Sequence, residues 1–84
     1  MSRETLRQHL DQLHAELSST QTLDADTRSM LEEVARDIEQ VLEGGSDDTV
    51  RGRIEGAAVR FEAEHPSFAR LLSEVTDTLA KIGL

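Results

Sequence analysis

The chain of 84 residues contains no cysteine, tryptophan or tyrosine, and it has one proline and two phenylalanines. The lack of cysteine excludes disulfides, thiol catalysis and metal sites with cysteine ligands. Without tryptophan or tyrosine, the core must be built mainly from leucine, valine and isoleucine. We therefore predict a single small domain, residues 1–84, and we expect self-association because a thin aliphatic core only narrowly offsets the entropy lost on folding.

Basic residues and long apolar runs are also scarce. Nine Lys and Arg stand against 17 Asp and Glu, which gives a formal net charge of −8. The basic residues are scattered singly, so nucleic acid and anionic membrane surfaces are not expected as partners. No run reaches the length of a membrane-spanning helix, and the first thirteen residues lack the apolar core of a signal peptide. We therefore predict a cytoplasmic protein, and we interpret the acidity as a solvating surface.

Helical periodicity is the main positive feature of the sequence. In four segments, apolar residues recur at alternating steps of four and three, which places them on one side of a helix. The stripes are Leu6, Leu10, Leu13 and Leu17; Thr27, Leu31, Val34, Ile38 and Val41; Val50, Ile54, Ala58 and Phe61; and Phe68, Leu72, Val75, Leu79 and Ile82. Seams this narrow are typical of coiled coils and antiparallel hairpins. We predict an all-α fold of four amphipathic helices, arranged as two helical hairpins or a small bundle.

Capping residues and helix breakers set the predicted boundaries. The helices are expected near residues 3–18, 24–43, 48–64 and 66–82. The predicted N-terminal caps are Ser2, Asp24 and residues 46–48, and the predicted C-terminal stops are Gly44, Gly45 and Gly83. Pro66 is expected to open the fourth helix because proline disfavours helical geometry at the preceding His65. Since the four-three spacing continues from Ile54 to Ile82, we predict that helices three and four form a rod kinked at Pro66.

Two glycines four residues apart, Gly52 and Gly56, fall within the predicted third helix. Each is unfavourable by about 1 kcal/mol relative to alanine inside a helix. One interpretation is close backbone approach at a helix crossing, together with Ala57. The other, which we prefer, is that the helix starts late or frays here.

The clearest candidate for chemistry is Glu62-x-x-His65. Glutamate and histidine three apart on a helix can bind one metal ion, as in di-iron carboxylate bundles, and a dimer would supply the motif twice. On a helical wheel, however, the acidic residues of the other helices, such as Asp37 and Glu16, lie on the flanks and not inward. We therefore expect no metal, with His65 closing helix three and Glu62 in solvent. No nucleophile or phosphate-binding pattern is present, so we predict neither an enzyme nor a cofactor.

Several segments resemble a known family. These are residues 61–66 (Phe-Glu-Ala-Glu-His-Pro), the later Leu72 and Leu79, the terminal Ile-Gly-Leu of residues 82–84, and residues 13–17 near the start. Together they are similar to a family of short bacterial proteins known as domain of unknown function 4404. The resemblance implies a bacterial origin and a self-contained small helical protein. It implies no activity, cofactor or site residue.

The function predicted from these observations is a non-catalytic, homo-oligomeric protein-interaction module, with a dimer favoured and a further protein partner unidentified. The candidate association residues are Phe61, Phe68, Leu72, Val75 and Leu79. The alternative is a carboxylate–histidine metal protein that uses Glu62 and His65 across a dimer interface. Metal binding predicts bound iron, manganese or zinc that is lost in His65→Ala. The interaction module predicts damage chiefly from Phe61→Asp or Phe68→Asp.

Overall fold

Four segments with apolar stripes of helical period form four α-helices in the computed structural model. It describes residues 2–45 and 48–82, apart from the side chains of residues 2 and 48. The helices are α1 (Ser2–Ser19), α2 (Ala25–Leu42), α3 (Asp48–Phe61) and α4 (Pro66–Lys81), and the described residues include no strand. The all-α prediction is confirmed, and the predicted helix ends agree to within one residue except at the end of α3.

The ends of α2 show how local sequence sets a helix. At its start, the Asp24 carboxylate accepts a hydrogen bond from the Thr27 amide at 2.8 Å, as an N-cap does. At its end, the Gly44 amide donates to the Val41 carbonyl at 3.1 Å and the Gly45 amide donates to Gln40 at 2.9 Å. These two bonds form a Schellman motif, which requires the positive φ of 99° found at Gly44.

Other predicted helix ends have mixed outcomes. Pro66 is the first residue of α4 and His65 precedes it, as predicted. The side chain of His65 makes no capping hydrogen bond, and its carbonyl accepts from the Ala69 amide at 3.0 Å. The predicted capping roles of Ser2 and Asp48 depend on side chains that are not described, and residues 46, 47 and 83 lie outside the described residues.

The four helices surround one continuous core. The α3–α4 contact is the most extensive, α1 packs on both α2 and α4, and α2 barely touches α3. The core residues come from all four predicted stripes. The ones with no exposed surface are Leu6, Leu13, Leu31, Ile38, Ile54, Leu72, Val75 and Leu79. The helices therefore follow the spatial order α2, α1, α4, α3, and the ring is open between α2 and α3.

The predicted rod of helices three and four is wrong. α3 ends at Phe61, residues 62–64 form a turn, and α4 packs back along α3. A continuous helix over residues 48–81 would be about 50 Å long at 1.5 Å per residue, whereas the longest dimension of the molecule is 34 Å. The His65 backbone, with φ −136° and ψ 68°, breaks the helical path. The unbroken stripe arises because both helices of a hairpin turn an apolar side toward the core.

Two arginines join α1 to α2 at opposite ends of that hairpin. Arg3, near the start of α1, donates to the carbonyls of Val41 and Leu42 at 3.2 Å each. Arg28, near the start of α2, donates to the Leu17 carbonyl at 3.1 Å and to a second carbonyl in the following connection at 2.8 Å. The last carbonyls of a helix lack intrahelical donors, and the guanidinium groups supply additional donors at these helix ends.

Candidate self-association surface on helix α3

The five association residues predicted from the sequence lie in the core of the bundle. The exposed fraction is 4% for Phe61 and 3% for Phe68, and it is zero for Leu72, Val75 and Leu79. In this fold, a partner or second subunit can contact these side chains only if helices separate or exchange between subunits.

The Glu62–His65 pair does not have the geometry that its metal interpretation requires. Glu62 lies in the turn after α3, so the two residues do not share a helical face. The His65 ring is half-buried between two phenylalanines, with centroids 6.0 Å from Phe61 and 6.2 Å from Phe68, both edge to face. Across residues 2–45 and 48–82, no three His, Asp or Glu side chains are grouped as metal ligands would be. The alternative carboxylate–histidine metal site therefore has no support among the described residues.

The outer side of α3 is the uncovered apolar surface of the described chain. Val59 exposes 69% of its surface, and within the described residues no other large hydrophobic residue is exposed. Gly52 and Gly56 lie on the same side, because steps of four and three residues return to one face of a helix. The buried stripe of α3, which includes Val50 and Ile54, faces the other way.

Neither interpretation offered for the glycines matches the structure. α3 begins at Asp48, so Gly52 and Gly56 are inside the helix and not before a late start. A Cβ atom added at either position would meet no described atom within 4 Å, so no helix of this chain approaches them closely. The sequence places two weak helix formers on an exposed face for which the folded chain provides no contact.

An open groove between α2 and α3 borders this face. Its volume is about 270 Å³, and it is lined by Met30, Glu33, Val34, Asp37, Arg53, Gly56, Ala57 and Arg60. A paired hydrogen bond bridges it, with Arg53 Nη2 3.1 Å from Asp37 Oδ1 and Arg53 Nε 3.3 Å from Asp37 Oδ2. This ion pair is the main polar link that the described residues show between α2 and α3.

Charges of opposite sign flank the outer face of α3. Arg53 and Arg60, seven residues apart, line the groove on the α2 side. Glu55 and Glu62 line a second groove, of about 440 Å³, on the α4 side. Glu55 and Arg60 are exposed, and neither forms a salt bridge with a described residue. The face is therefore an apolar strip with a basic edge and an acidic edge.

The electrostatics at the nearby end of the bundle involve Asp24. Hydrogen bonds from the Thr27 side chain and then from the Thr27 amide lower the pKa of the Asp24 carboxyl below its usual value. Electrostatic interactions with His65 and Arg60 lower the same pKa with less effect. The α2 N-terminus and the α3–α4 turn therefore lie at the same end of the molecule.

Two further histidines, His9 and His14, lie away from the outer face of α3. The groove between α1 and α2 contains a His14–Glu39 contact, with Nε2 4.0 Å from Oε1 and both side chains about half exposed. His9 Nδ1 is buried without a described hydrogen-bond partner. None of the described helices combines the length and hydropathy needed to cross a bilayer.

Sequence analysis did not identify the outer face of α3. The signal was present as a second, weaker stripe of Gly52, Gly56 and Val59, displaced from the core stripe of the same helix. Glycine scores poorly as an apolar residue, so this stripe was interpreted as helix fraying. This stripe is distinguished from the core stripe by the exposure of its residues, which periodicity alone does not give.

The fold and this surface define a class: a small four-helix bundle with one apolar helical face left uncovered. The family model described as "Domain of unknown function (DUF4404)" matches residues 6–84, and the chain belongs to that family. This confirms the resemblance seen in the sequence. No curated protein and no solved structure matches the chain.

Proposed function

We propose that this protein is a non-catalytic helical interaction module that assembles with copies of itself, as a dimer. The observation that carries the proposal is the outer face of α3, where Val59 is 69% exposed beside two glycines at which an added Cβ would meet no described atom within 4 Å. A helix with apolar residues on its outer face can pack against another protein in helix-in-groove recognition.

A second copy is the partner that this surface favours. The strip has Arg53 and Arg60 on one edge and Glu55 and Glu62 on the other, so two copies can each supply the charge that the other needs. Interfaces between identical subunits are usually closed by a two-fold axis, which requires such self-complementarity. The thin core, without tryptophan or tyrosine, also favours stabilisation by association.

The test is the absolute mass of the native protein, measured by light scattering after size exclusion over a range of concentrations. We expect twice the mass of one chain at high concentration. Val59→Asp should shift the protein to the monomer with its helical circular dichroism unchanged. Ala15→Asp is the matched control, because Ala15 is exposed on α1, which does not contact α3.

A monomer at every concentration would contradict the proposal, and so would a dimer that Val59→Asp leaves intact. Elemental analysis of the same peak addresses the metal alternative. Stoichiometric iron, manganese or zinc that disappears in His65→Ala would favour that alternative over the interaction module.

A further inference from the structure

The outer face of α3 has the spacing of a two-stranded coiled-coil seam. Gly52, Gly56 and Val59 follow steps of four and three, which correspond to positions d, a and d of a heptad. With this assignment, Arg53 and Arg60 occupy e positions. The g positions are then taken by the acidic edge, Glu55 and Glu62. These are the two positions that border a coiled-coil seam and set its partner and orientation.

The charges at e and g distinguish the two possible orientations. In a parallel pair, a g residue of one helix faces the e residue that comes five positions later in the other. Glu55 then faces Arg60 of the second copy, and the two-fold axis produces this pair twice. In an antiparallel pair, e positions face e positions and g positions face g positions, so Arg53 and Arg60 would oppose arginines.

The glycines are consistent with this arrangement. Residues without a side chain allow two helix backbones to approach closely, as small residues do at tightly packed crossings. The single chain makes no use of the space at Gly52 and Gly56, because no described atom lies within 4 Å of an added Cβ. In the parallel pair, Val59 meets Val59 of the second copy across the axis, and it loses the exposure it has in the single chain.

We infer that α3 pairs with α3 of a second copy in parallel, about a two-fold axis along the helices, with Glu55 of each copy facing Arg60 of the other. This inference rests on the proposed self-association and specifies its geometry. The Asp37–Arg53 pair holds the basic edge of the face in place, since it ties α3 to α2 beside the groove.

The test is charge reversal with rescue by mixing. Glu55→Arg and Arg60→Glu each place like charges opposite one another in a homodimer, and we expect the dissociation constant of each to rise about tenfold or more. In an equimolar mixture of the two variants, the arginine introduced at position 55 of one chain faces the glutamate introduced at position 60 of the other. The unchanged Glu55 of the second chain then faces the unchanged Arg60 of the first. Native mass spectrometry should therefore show a heterodimer, with an affinity close to that of the parent.

Glu32→Arg and Arg36→Glu are matched controls, because they make the same charge changes on the exposed side of α2 that borders α1. They should leave the dissociation constant unchanged. A parent protein that is monomeric would contradict the proposed function as well as the pairing. The parallel α3 pairing would be overturned, and the proposed self-association kept, if the parent is a dimer whose dissociation constant neither α3 charge reversal changes. The same holds if the two variants do not form a heterodimer when mixed.

Discussion

In the α1–α2 hairpin, two arginines each reach across to backbone carbonyls at the end of the other helix, Arg3 at one end and Arg28 at the other. The α3–α4 hairpin is described best by its packing. There, small buried residues such as Ala58, Ala69 and Thr76 meet in the most extensive helix contact of the molecule. The Thr76 hydroxyl donates within α4, to the Ser73 carbonyl at 2.8 Å.

This difference shows two ways of holding antiparallel helices together. Long arginine side chains link the two helices of the α1–α2 hairpin by donating to backbone carbonyls near the helix ends. Small side chains let α3 and α4 pack closely, so their contact is mainly apolar. α3 packs mainly on α4 and hardly on α2, so one side of it remains uncovered. The uncovered apolar surface therefore belongs to the hairpin that is held by packing.

The largest expected effect comes from removing apolar packing on α4. Leu72 has no exposed surface, and truncation of such a leucine to alanine usually destabilises a protein by about 2–5 kcal/mol. Leu72→Ala should therefore lower the free energy of unfolding, measured by urea titration, by an amount in this range. Leu42→Ala, at the half-buried end of α2, is the control and should have a smaller effect. Equal losses of unfolding free energy in the two variants would contradict the larger packing contribution expected of Leu72.

The next effect tests the polar link of the other hairpin. Arg28→Met keeps most of the apolar stem but removes both hydrogen bonds to the end of α1. Hydrogen bonds from charged donors typically contribute about 1.5–3 kcal/mol, and we expect a loss near the lower end because Arg28 is only partly buried. Arg36→Met on the exposed side of α2 should change stability by less than about 0.5 kcal/mol. If the two variants unfold alike in urea, the arginine link is not stabilising.

The sequence was sufficient to predict the four helices, because each stripe has a clear period and each boundary a capping or breaking residue. It did not predict the reversal between α3 and α4, since residues 62–64 are Glu-Ala-Glu, which favour a helix, and the apolar stripe continues through Pro66. The arginine links were also missed. Arg3 and Val41 are 38 positions apart, and no local pattern indicates such a contact. The outer face of α3 was not predicted, because glycines inside a helix are more readily interpreted as fraying than as an interface.

A smaller effect of opposite sign is expected on the outer face of α3. An alanine at Gly56 meets open space, and glycine inside a helix is less favourable than alanine by about 1 kcal/mol. Gly56→Ala should therefore raise the free energy of unfolding when measured at concentrations low enough to keep the chain monomeric. Gly44→Ala should do the reverse, because residue 44 has a φ of 99° that alanine adopts poorly. Destabilisation by Gly56→Ala under these conditions would mean that the monomer already uses this glycine.

The smallest expected effect depends on pH and involves both hairpins, since Asp24 caps α2 and is attracted by Arg60 and His65 near the α3–α4 turn. The folded-state pKa of Asp24 is lowered, so its carboxylate stabilises the fold above the ordinary aspartate pKa of about 3.9 and loses this effect as the pH falls through the folded value. Asp24→Asn keeps an oxygen for the cap but cannot ionise. The variant should therefore be less stable than the parent at neutral pH, and the two melting temperatures should converge in acid.

Asp11→Asn, on the exposed side of α1, is the control and should show no such convergence. A difference between Asp24→Asn and the parent that persists unchanged at low pH would assign the role of Asp24 to cap geometry and not to its charge.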